Sequence, residues 1–201
     1  MKKIKCLIFI DADVIFRHFV LSGSFEQLIK KQKVQYVLPE KGNKRLGDIN
    51  LGSIDKLIIK NRIDHNPKRL KIWRQLLFVD QLRFKNGLQN KSMRSYRKKT
   101  LKWKAATLFT IFGLPIIWKI FKLFKLLQLN FCQNQQMIKV IENFKPDVII
   151  HPSVLEGLFI NDLILISKKK KIPLVVIMNS WDNPSTKNSV IGFPDWLLVW
   201  G

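Results

Sequence analysis

The chain has 201 residues, enough for one sizeable domain with a three-layer core. Its 36 Lys and Arg against 14 Asp and Glu give a net charge of +22, which indicates a polyanionic partner: nucleic acid, an anionic membrane surface or a phosphorylated substrate. The two cysteines, Cys6 and Cys132, form neither a metal-binding spacing nor a disulfide framework, which fits a reducing cytoplasmic compartment.

The first sixty residues alternate between strand and helix patterns. An apolar run over residues 5–10 predicts the first strand. The whole N-terminal apolar stretch, from residue 4 to residue 10, is only about seven residues long and is followed at once by Asp11 and Asp13, so it is too short for a signal peptide. The pattern then predicts a helix, a strand, a polar loop and a third strand, over residues 15–31, 34–38, 42–52 and 54–60.

Residues 66–144 carry no convincing strand pattern and predict a helical insertion. An amphipathic helix begins near Pro67 and ends near Gly87. A basic cluster over 91–104 is followed by an uncharged run over 105–118. That run of about fourteen residues is shorter than the roughly 20 that a membrane-spanning helix needs.

Lysines three residues apart follow the uncharged run, with aromatic and leucine side chains between them. This pattern is typical of a helix that lies in the plane of an anionic membrane surface. It predicts peripheral docking on the inner face of the cell membrane through Lys102, Lys104, Trp118, Lys119, Phe121, Lys122, Phe124 and Lys125. Two alternatives stay open: helices packed on the sheet with snorkelling lysines, and a surface for single-stranded nucleic acid, for which the sequence has no signature.

The alternation of strand and helix resumes at residue 145. Apolar runs over 148–150, 174–178 and 197–199 show no polar alternation, as expected of strands buried on both faces of a parallel sheet, and a helix begins near Leu158. The two blocks predict one α/β, Rossmann-like three-layer domain with a mostly parallel sheet and the helical insertion. Because the last run reads as an interior strand, we expect a two-lobed enzyme whose C-terminal, nucleotide-binding lobe is absent.

Asp11 and Asp13 end the first strand, and an Asp-x-Asp motif at this place has three interpretations. The pair could be the nucleophile and general acid of a magnesium-dependent, haloacid-dehalogenase-like phosphatase, although no closing acidic pair follows. It could bind a metal, as Asp-x-Asp motifs do in one of the two large glycosyltransferase folds. In that fold, however, the motif normally lies further from the N-terminus of the domain. The third interpretation is structural: one Asp caps the helix that begins near Val14, and the other faces the crevice above the sheet.

Arg17 and His18 lie beside that turn, in the first turns of the predicted helix. A histidine above the carboxyl ends of parallel strands could act as a general base on an acceptor hydroxyl, or it could be an ordinary surface residue. Arg17 could bind a phosphate or a sugar carboxylate, or pair with Asp13.

Two polar loops follow later strands at the same edge. The first could contact a ligand or complement a helix N-terminus, and its candidates are Ser153, Glu156 and Gly157. The second could form turns, or could hydrogen-bond several hydroxyl groups while an indole stacks on a sugar face. Its candidates are Ser180, Trp181, Asp182 and Asn183.

Five motifs occur in order: a first strand ending in Asp-x-Asp, an Arg-His-Phe-Val helix start, Pro-Asp-Val-Ile-Ile-x-Pro-Ser, Ser-Trp-Asp-Asn, and a last strand Pro-Asp-x-Leu-Leu-Val-Trp. Their succession resembles the N-terminal, acceptor-side lobe of GT-B glycosyltransferases. The resemblance is closest to bacterial enzymes of surface-carbohydrate and lipid-linked saccharide synthesis. CDP-glycerol glycerophosphotransferases are a neighbouring family in this resemblance. It covers both Rossmann-like blocks and says little about residues 66–129.

The resemblance implies transfer of a sugar from a nucleotide-sugar donor to a lipid-linked or surface-polysaccharide acceptor, with no cofactor and no obligatory metal. It places the acceptor and the catalytic base in this lobe, which matches Asp13 and His18. The remaining candidates would bind substrate, and the chain would need a second-lobe polypeptide for efficient transfer. The alternatives are a non-catalytic binding module from a truncated or split gene, and the phosphatase that uses Asp11 and Asp13.

Overall fold

A computed structural model of the chain describes residues 3–40, 59–63, 111, 114–131, 134–153, 158–179 and 192–199. Within these residues one parallel sheet contains six strands: β1 (Lys5–Phe9), β2 (Lys33–Pro39), β3 (Ile59–Ile63), β4 (Val148–Ser153), β5 (Leu174–Met178) and β6 (Trp196–Leu198). The predicted α/β, Rossmann-like class is confirmed.

The strand order is β3-β2-β1-β4-β5-β6. From β1 the chain steps outward to β2 and β3, then returns to place β4 against the other side of β1, with Cys6 opposite Val148. This is the order of doubly wound sheets, in which ligands bind at the carboxyl ends of the strands where the winding reverses. The β1–β4 boundary is that switch point.

Several helices lie between these strands along the described part of the chain. They are α1 (Asp13–Ile15), which continues as a π-helix over Phe16–Leu21, then α2 (Glu26–Lys31), α3 (Pro115–Phe131), α4 (Gln135–Phe144) and α5 (Ile160–Lys170). The prediction of one continuous helix over 15–31 is wrong, because the helix ends at Leu21 and a new helix begins at Glu26. Gly23 lies there at φ 76°, a left-handed conformation that glycine adopts without steric cost.

Alternation along β1 sends its side chains into two separate cores. Leu7 and Phe9 pack with Met137 and Ile141 of α4 and with α5, and the Phe9 and Phe159 rings pack edge to face with their centroids 5.7 Å apart. Ile8 lies on the opposite face, in the core that α1, the π-helix and α2 cover. Because both faces are apolar, β1 shows no alternation of polarity in the sequence.

The predicted helix from Pro67 to Gly87 lies outside the described residues, and the described part of the predicted helical insertion contains two helices with different roles. Helix α4 belongs to the layer over the sheet, and Asn134 caps it by accepting a hydrogen bond from the backbone N–H of Met137 at 3.1 Å. Helix α3 exposes much of its apolar surface to solvent. Cys6 is buried in β1 as a small apolar residue, whereas Cys132 lies outside the described residues.

Two strand predictions need correction. The third strand is found at Ile59–Ile63, four residues or so later than its sequence pattern suggests, while residues 54–58 lie outside the described part of the chain. The last strand pairs with β5 in parallel register, and among the described strands it lies at the edge of the sheet instead of its interior. Trp196, Leu197 and Leu198 are 47–64% exposed, so the expectation of a strand buried on both faces is wrong.

Candidate functional site

The carboxyl edge of β1, β4 and β5 brings together polar residues that are far apart in sequence. Asp11 and Asp13 follow β1, His151 and Ser153 end β4, and Asn179 follows β5. Because the strands are parallel, their carboxyl ends lie at one edge of the sheet, across the β1–β4 switch point. Two clusters form there, one on each face.

The first cluster joins the π-helix to the end of β5. His18 Nδ1 lies 2.8 Å from Asn179 Oδ1. A carboxamide oxygen only accepts hydrogen bonds, so Nδ1 donates, and the neutral ring then keeps its lone pair on Nε2. His18 is exposed and Asn179 half-buried, so the imidazole is held by Asn179 and remains accessible to solvent.

The local backbone explains how His18 is held. The π-helix is closed by an i to i+5 hydrogen bond from the backbone N–H of Ser22 to the Arg17 carbonyl at 3.2 Å. The hydroxyls of Ser22 and Ser24 both donate to the His18 carbonyl, which would otherwise face the end of the helix unpaired. Segments of this kind occur frequently at functional sites.

Asp13 pairs with Arg17, one helical turn later. The guanidinium Nη2 donates to Asp13 Oδ2 at 3.0 Å; Asp13 is buried, and Arg17 is half exposed. The position before α1 is Ala12, and no side chain caps this helix, so the prediction that an Asp caps it is wrong. Asp13 instead occupies the first turn, where a carboxylate complements the helix dipole.

The second cluster is buried on the opposite face. His151 Nδ1 donates to the Phe9 carbonyl at 2.8 Å, and this bond turns Nε2 toward Asp11. Nε2 lies 3.5 Å from Asp11 Oδ2, and neither side chain has exposed surface. Among the described residues, neither Nε2 nor either carboxylate oxygen of Asp11 has a well-aligned hydrogen-bond partner.

Burial raises the pKa of the Asp11 carboxyl above its ordinary value. The His151 ring and the backbone N–H groups of Phe159 and Leu158 act against this increase, because both favour the charged carboxylate. Those two residues precede α5, so the Asp11 carboxyl lies close to the N-terminus of that helix. The cluster therefore links β1, β4 and α5 beneath the crevice.

The structure describes only part of the predicted site. Asp13 pairs with Arg17 in the segment after β1, and His18 contacts Asn179 at the end of β5. Ser153 is buried at the end of β4, where its carbonyl accepts from the backbone N–H of Asn179 at 3.1 Å. Six further candidates lie outside the described residues: Glu156, Gly157, Ser180, Trp181, Asp182 and Asn183.

Of the predicted membrane-surface residues, Lys119 and Phe124 are exposed on α3, and Phe121 is half-buried. Lys102 and Lys104 lie outside the described residues, and the side chains of Trp118, Lys122 and Lys125 lie outside them too.

Comparison with known proteins identifies no matching family model, no matching curated protein and no matching solved structure. Within the described ranges no group of three or more His, Cys, Asp and Glu side chains is arranged to hold a metal ion.

The sequence interpretation missed two residues. Asn179 directly follows an apolar strand, as Asp11 does, and that shared position could have identified it. His151 is a polar residue inside a buried strand, and such a residue needs a partner, so it pointed to a second polar group on a neighbouring strand.

Proposed function

We propose that this chain is the acceptor-binding lobe of a GT-B-type glycosyltransferase that acts on a lipid-linked or surface-polysaccharide acceptor. The observation that carries the proposal is the oriented His18 imidazole at the carboxyl edge of a doubly wound sheet, held by Asn179. An exposed imidazole with a free lone pair on Nε2 is suited to deprotonate a hydroxyl group.

The turn after β1 supports a saccharide in preference to a nucleotide. In dinucleotide-binding sheets of this strand order, that turn is glycine-rich and its backbone N–H groups hold a pyrophosphate. Here it reads Asp11-Ala12-Asp13, with no glycine and two carboxyl groups. The turn therefore offers no glycine-rich loop of backbone N–H groups for a diphosphate, whereas a sugar hydroxyl can donate a hydrogen bond to Asp13, the carboxylate of this turn that keeps some exposed surface.

In the proposed reaction His18 Nε2 takes the proton of an acceptor hydroxyl while the acceptor oxygen bonds to the anomeric carbon of the donor. The bond from that carbon to the diphosphate breaks, and the nucleoside diphosphate leaves with the electron pair. Asn179 keeps Nδ1 protonated, so that the base is always Nε2. Arg17 offsets the Asp13 charge beside the acceptor.

The phosphatase alternative gains less support. It requires a nucleophilic Asp that reaches substrate, but the Asp11 side chain has no exposed surface. The alternative predicts magnesium-dependent hydrolysis of p-nitrophenyl phosphate that Asp11→Asn abolishes. We expect no such hydrolysis.

The first test is ligand binding observed at the His18 ring by NMR. Methyl glycosides and disaccharides are titrated in one series, and uridine, guanosine and cytidine diphosphates in another. We expect saccharides to shift the His18 ring signals and the Asn179 side-chain amide, with Asn179→Ala weakening both responses. A response to nucleoside diphosphates and to no saccharide contradicts the proposal.

The second test separates an enzyme from a non-catalytic binding module. In the protein completed by its donor-binding lobe, His18→Ala is expected to lower kcat about 10²- to 10⁴-fold, the usual contribution of a general base. Lys30→Ala, which removes an exposed charge on α2 away from the crevice, is the matched control and leaves kcat unchanged. Saccharide binding with equal turnover in the two variants contradicts the role of His18.

A further inference from the structure

Helix α3 has a continuous apolar stripe on its solvent side. Its members follow one another at steps of four, three, one and three residues, so they share one face of the helix, and they are 47–72% exposed: Ile116, Ile120, Leu123, Phe124 and Leu127. Ile117 and Phe121, on the adjoining face, are half-buried. In a globular protein the apolar stripe of a helix normally faces the core, and here it faces outward.

The surroundings of the stripe are strongly basic. Lys119 is exposed beside it, and α3 contains no acidic residue. From residue 81 to residue 141 the chain has thirteen Lys and Arg and no Asp or Glu. More than half of the net charge of +22 therefore lies in the segment that carries the stripe.

We infer that this stripe docks the protein on a lipid bilayer with anionic headgroups. An amphipathic helix lying in the interface inserts its apolar face at the boundary of the acyl chains, while flanking lysines contact phosphate groups. The inference does not rest on the proposed enzymatic activity. It also assigns the inserted residues: they are Ile116, Ile120, Leu123, Phe124 and Leu127, and Phe121 is turned toward the protein.

Two observations favour a bilayer surface over other partners. Only Phe124 among the five stripe residues is aromatic, whereas single-stranded nucleic acids need aromatic platforms on which bases stack. Among the described helices, none has the length and hydropathy to traverse a bilayer. The stripe is instead suited to shallow insertion parallel to the surface.

The experiment is co-sedimentation of the full chain with phosphatidylcholine vesicles, with and without roughly one-third phosphatidylglycerol, a composition that adds negative surface potential. We expect binding to the anionic vesicles at low salt. It should weaken as salt rises from about 0.01 M to about 1 M, because the Debye length falls from roughly 30 Å to roughly 3 Å. Replacing Lys119, Lys122 and Lys125 with Gln is expected to cost about fivefold in affinity per lysine.

The stripe itself is tested by the double variant Ile120→Asn with Phe124→Asn, which we expect to bind at least about tenfold more weakly at constant net charge. Its matched control is Leu21→Asn with Phe193→Asn, which removes two exposed apolar side chains elsewhere and should bind as the unmodified chain does. All four sites are exposed, so both variants should fold, and circular dichroism checks this.

Absence of vesicle binding at low salt overturns the inference, as does an equal loss in the two double variants. A dimer in sedimentation equilibrium that Ile120→Asn with Phe124→Asn dissociates, without vesicle binding, assigns the stripe to a second copy and overturns it too. The inference is also overturned if the chain binds a single-stranded oligonucleotide but not vesicles, and if the Ile120→Asn with Phe124→Asn variant loses that binding. His18→Ala should bind vesicles normally, so failure of the enzymatic proposal is distinguishable from failure of this one.

Discussion

The Asp147 carboxylate accepts a hydrogen bond from the backbone N–H of Lys5 at 2.8 Å, and the Asp147 N–H donates to the Lys5 carbonyl at 2.9 Å. Asp195 repeats this arrangement by accepting from the backbone N–H of Leu174 at 2.8 Å. Each Asp follows a proline, precedes a strand and binds the first residue of the neighbouring strand. The two Pro-Asp motifs thus fix strand starts at the amino edge, opposite the candidate site.

Replacement of Asp147 tests this role. Asp147→Ala removes the acceptor of the Lys5 N–H and should lower the free energy of unfolding by about 1 kcal/mol, the usual net value of one hydrogen bond. Asp147→Asn keeps a side-chain oxygen that can accept this hydrogen bond, so its free energy of unfolding should fall by less. Urea denaturation measures both variants, and equal losses would show that the negative charge matters more than the hydrogen bond.

The buried Asp11 makes a prediction about pH. Because its pKa is raised in the folded state, folding favours its protonated form, and this contribution to stability is complete below the unfolded pKa of about 4. It is lost as the pH rises through the folded pKa. Asp11→Asn cannot ionise, so its stability relative to the unmodified chain should increase as the pH is raised from about 4 to about 7.

Urea denaturation at several pH values measures that difference. His151 belongs to the same pair, so the His151→Gln variant serves as the control that removes the opposing charge. In that background the effect of Asp11→Asn should be larger, because His151 lowers the Asp11 pKa. If the stability difference between Asp11→Asn and the unmodified chain does not change with pH, the raised pKa of Asp11 in the folded state is contradicted.

Sequence patterns predicted the fold better than they predicted the site. Strands β1, β2 and β5 are short apolar runs between turn residues, so their positions follow from local composition. The strand order depends on which helix covers which face, and the sequence leaves that open. The exposure of β6 was not predictable either, because an apolar run has the same composition at a sheet edge as in the interior.

The site was predictable where chain neighbours form it. Asp13 and Arg17 are one helical turn apart, so their contact follows from spacing alone. His18 and Asn179 are 161 residues apart, and Asp11 and His151 meet only because β4 lies beside β1. Contacts of this kind depend on the crossover that brings β4 back to β1, which local sequence does not specify.

The break between the π-helix and α2 depends on Gly23. Gly23→Ala should lower the free energy of unfolding by about 1–2 kcal/mol, because an alanine at φ 76° is strained. The new Cβ would also approach Glu26 Oε1 to 2.8 Å, but that atom ends a flexible side chain and can move. Adding Glu26→Ala should therefore restore little stability, and a full rescue in thermal unfolding would mean that the side-chain clash dominates.

The Asn179 contact predicts the tautomer of His18. With Asn179 present, neutral His18 should carry its proton on Nδ1, and long-range ¹H–¹⁵N spectra of the ring report this directly. Asn179→Leu removes the acceptor, so the proton should shift toward Nε2. Asn179→Asp keeps an oxygen acceptor and should retain the Nδ1 proton, and identical spectra in all three proteins would contradict the contact.

The last prediction contrasts β6 with its neighbour β5. Leu198 is about half exposed at the sheet edge, so Leu198→Lys should change the free energy of unfolding by less than about 0.5 kcal/mol. Leu174 is fully buried where β5 begins, and Leu174→Ala should cost about 2–5 kcal/mol through lost contacts and the cavity left behind. Urea denaturation compares the two. A large loss in Leu198→Lys would mean that β6 is covered in solution, and the edge position would then need another explanation.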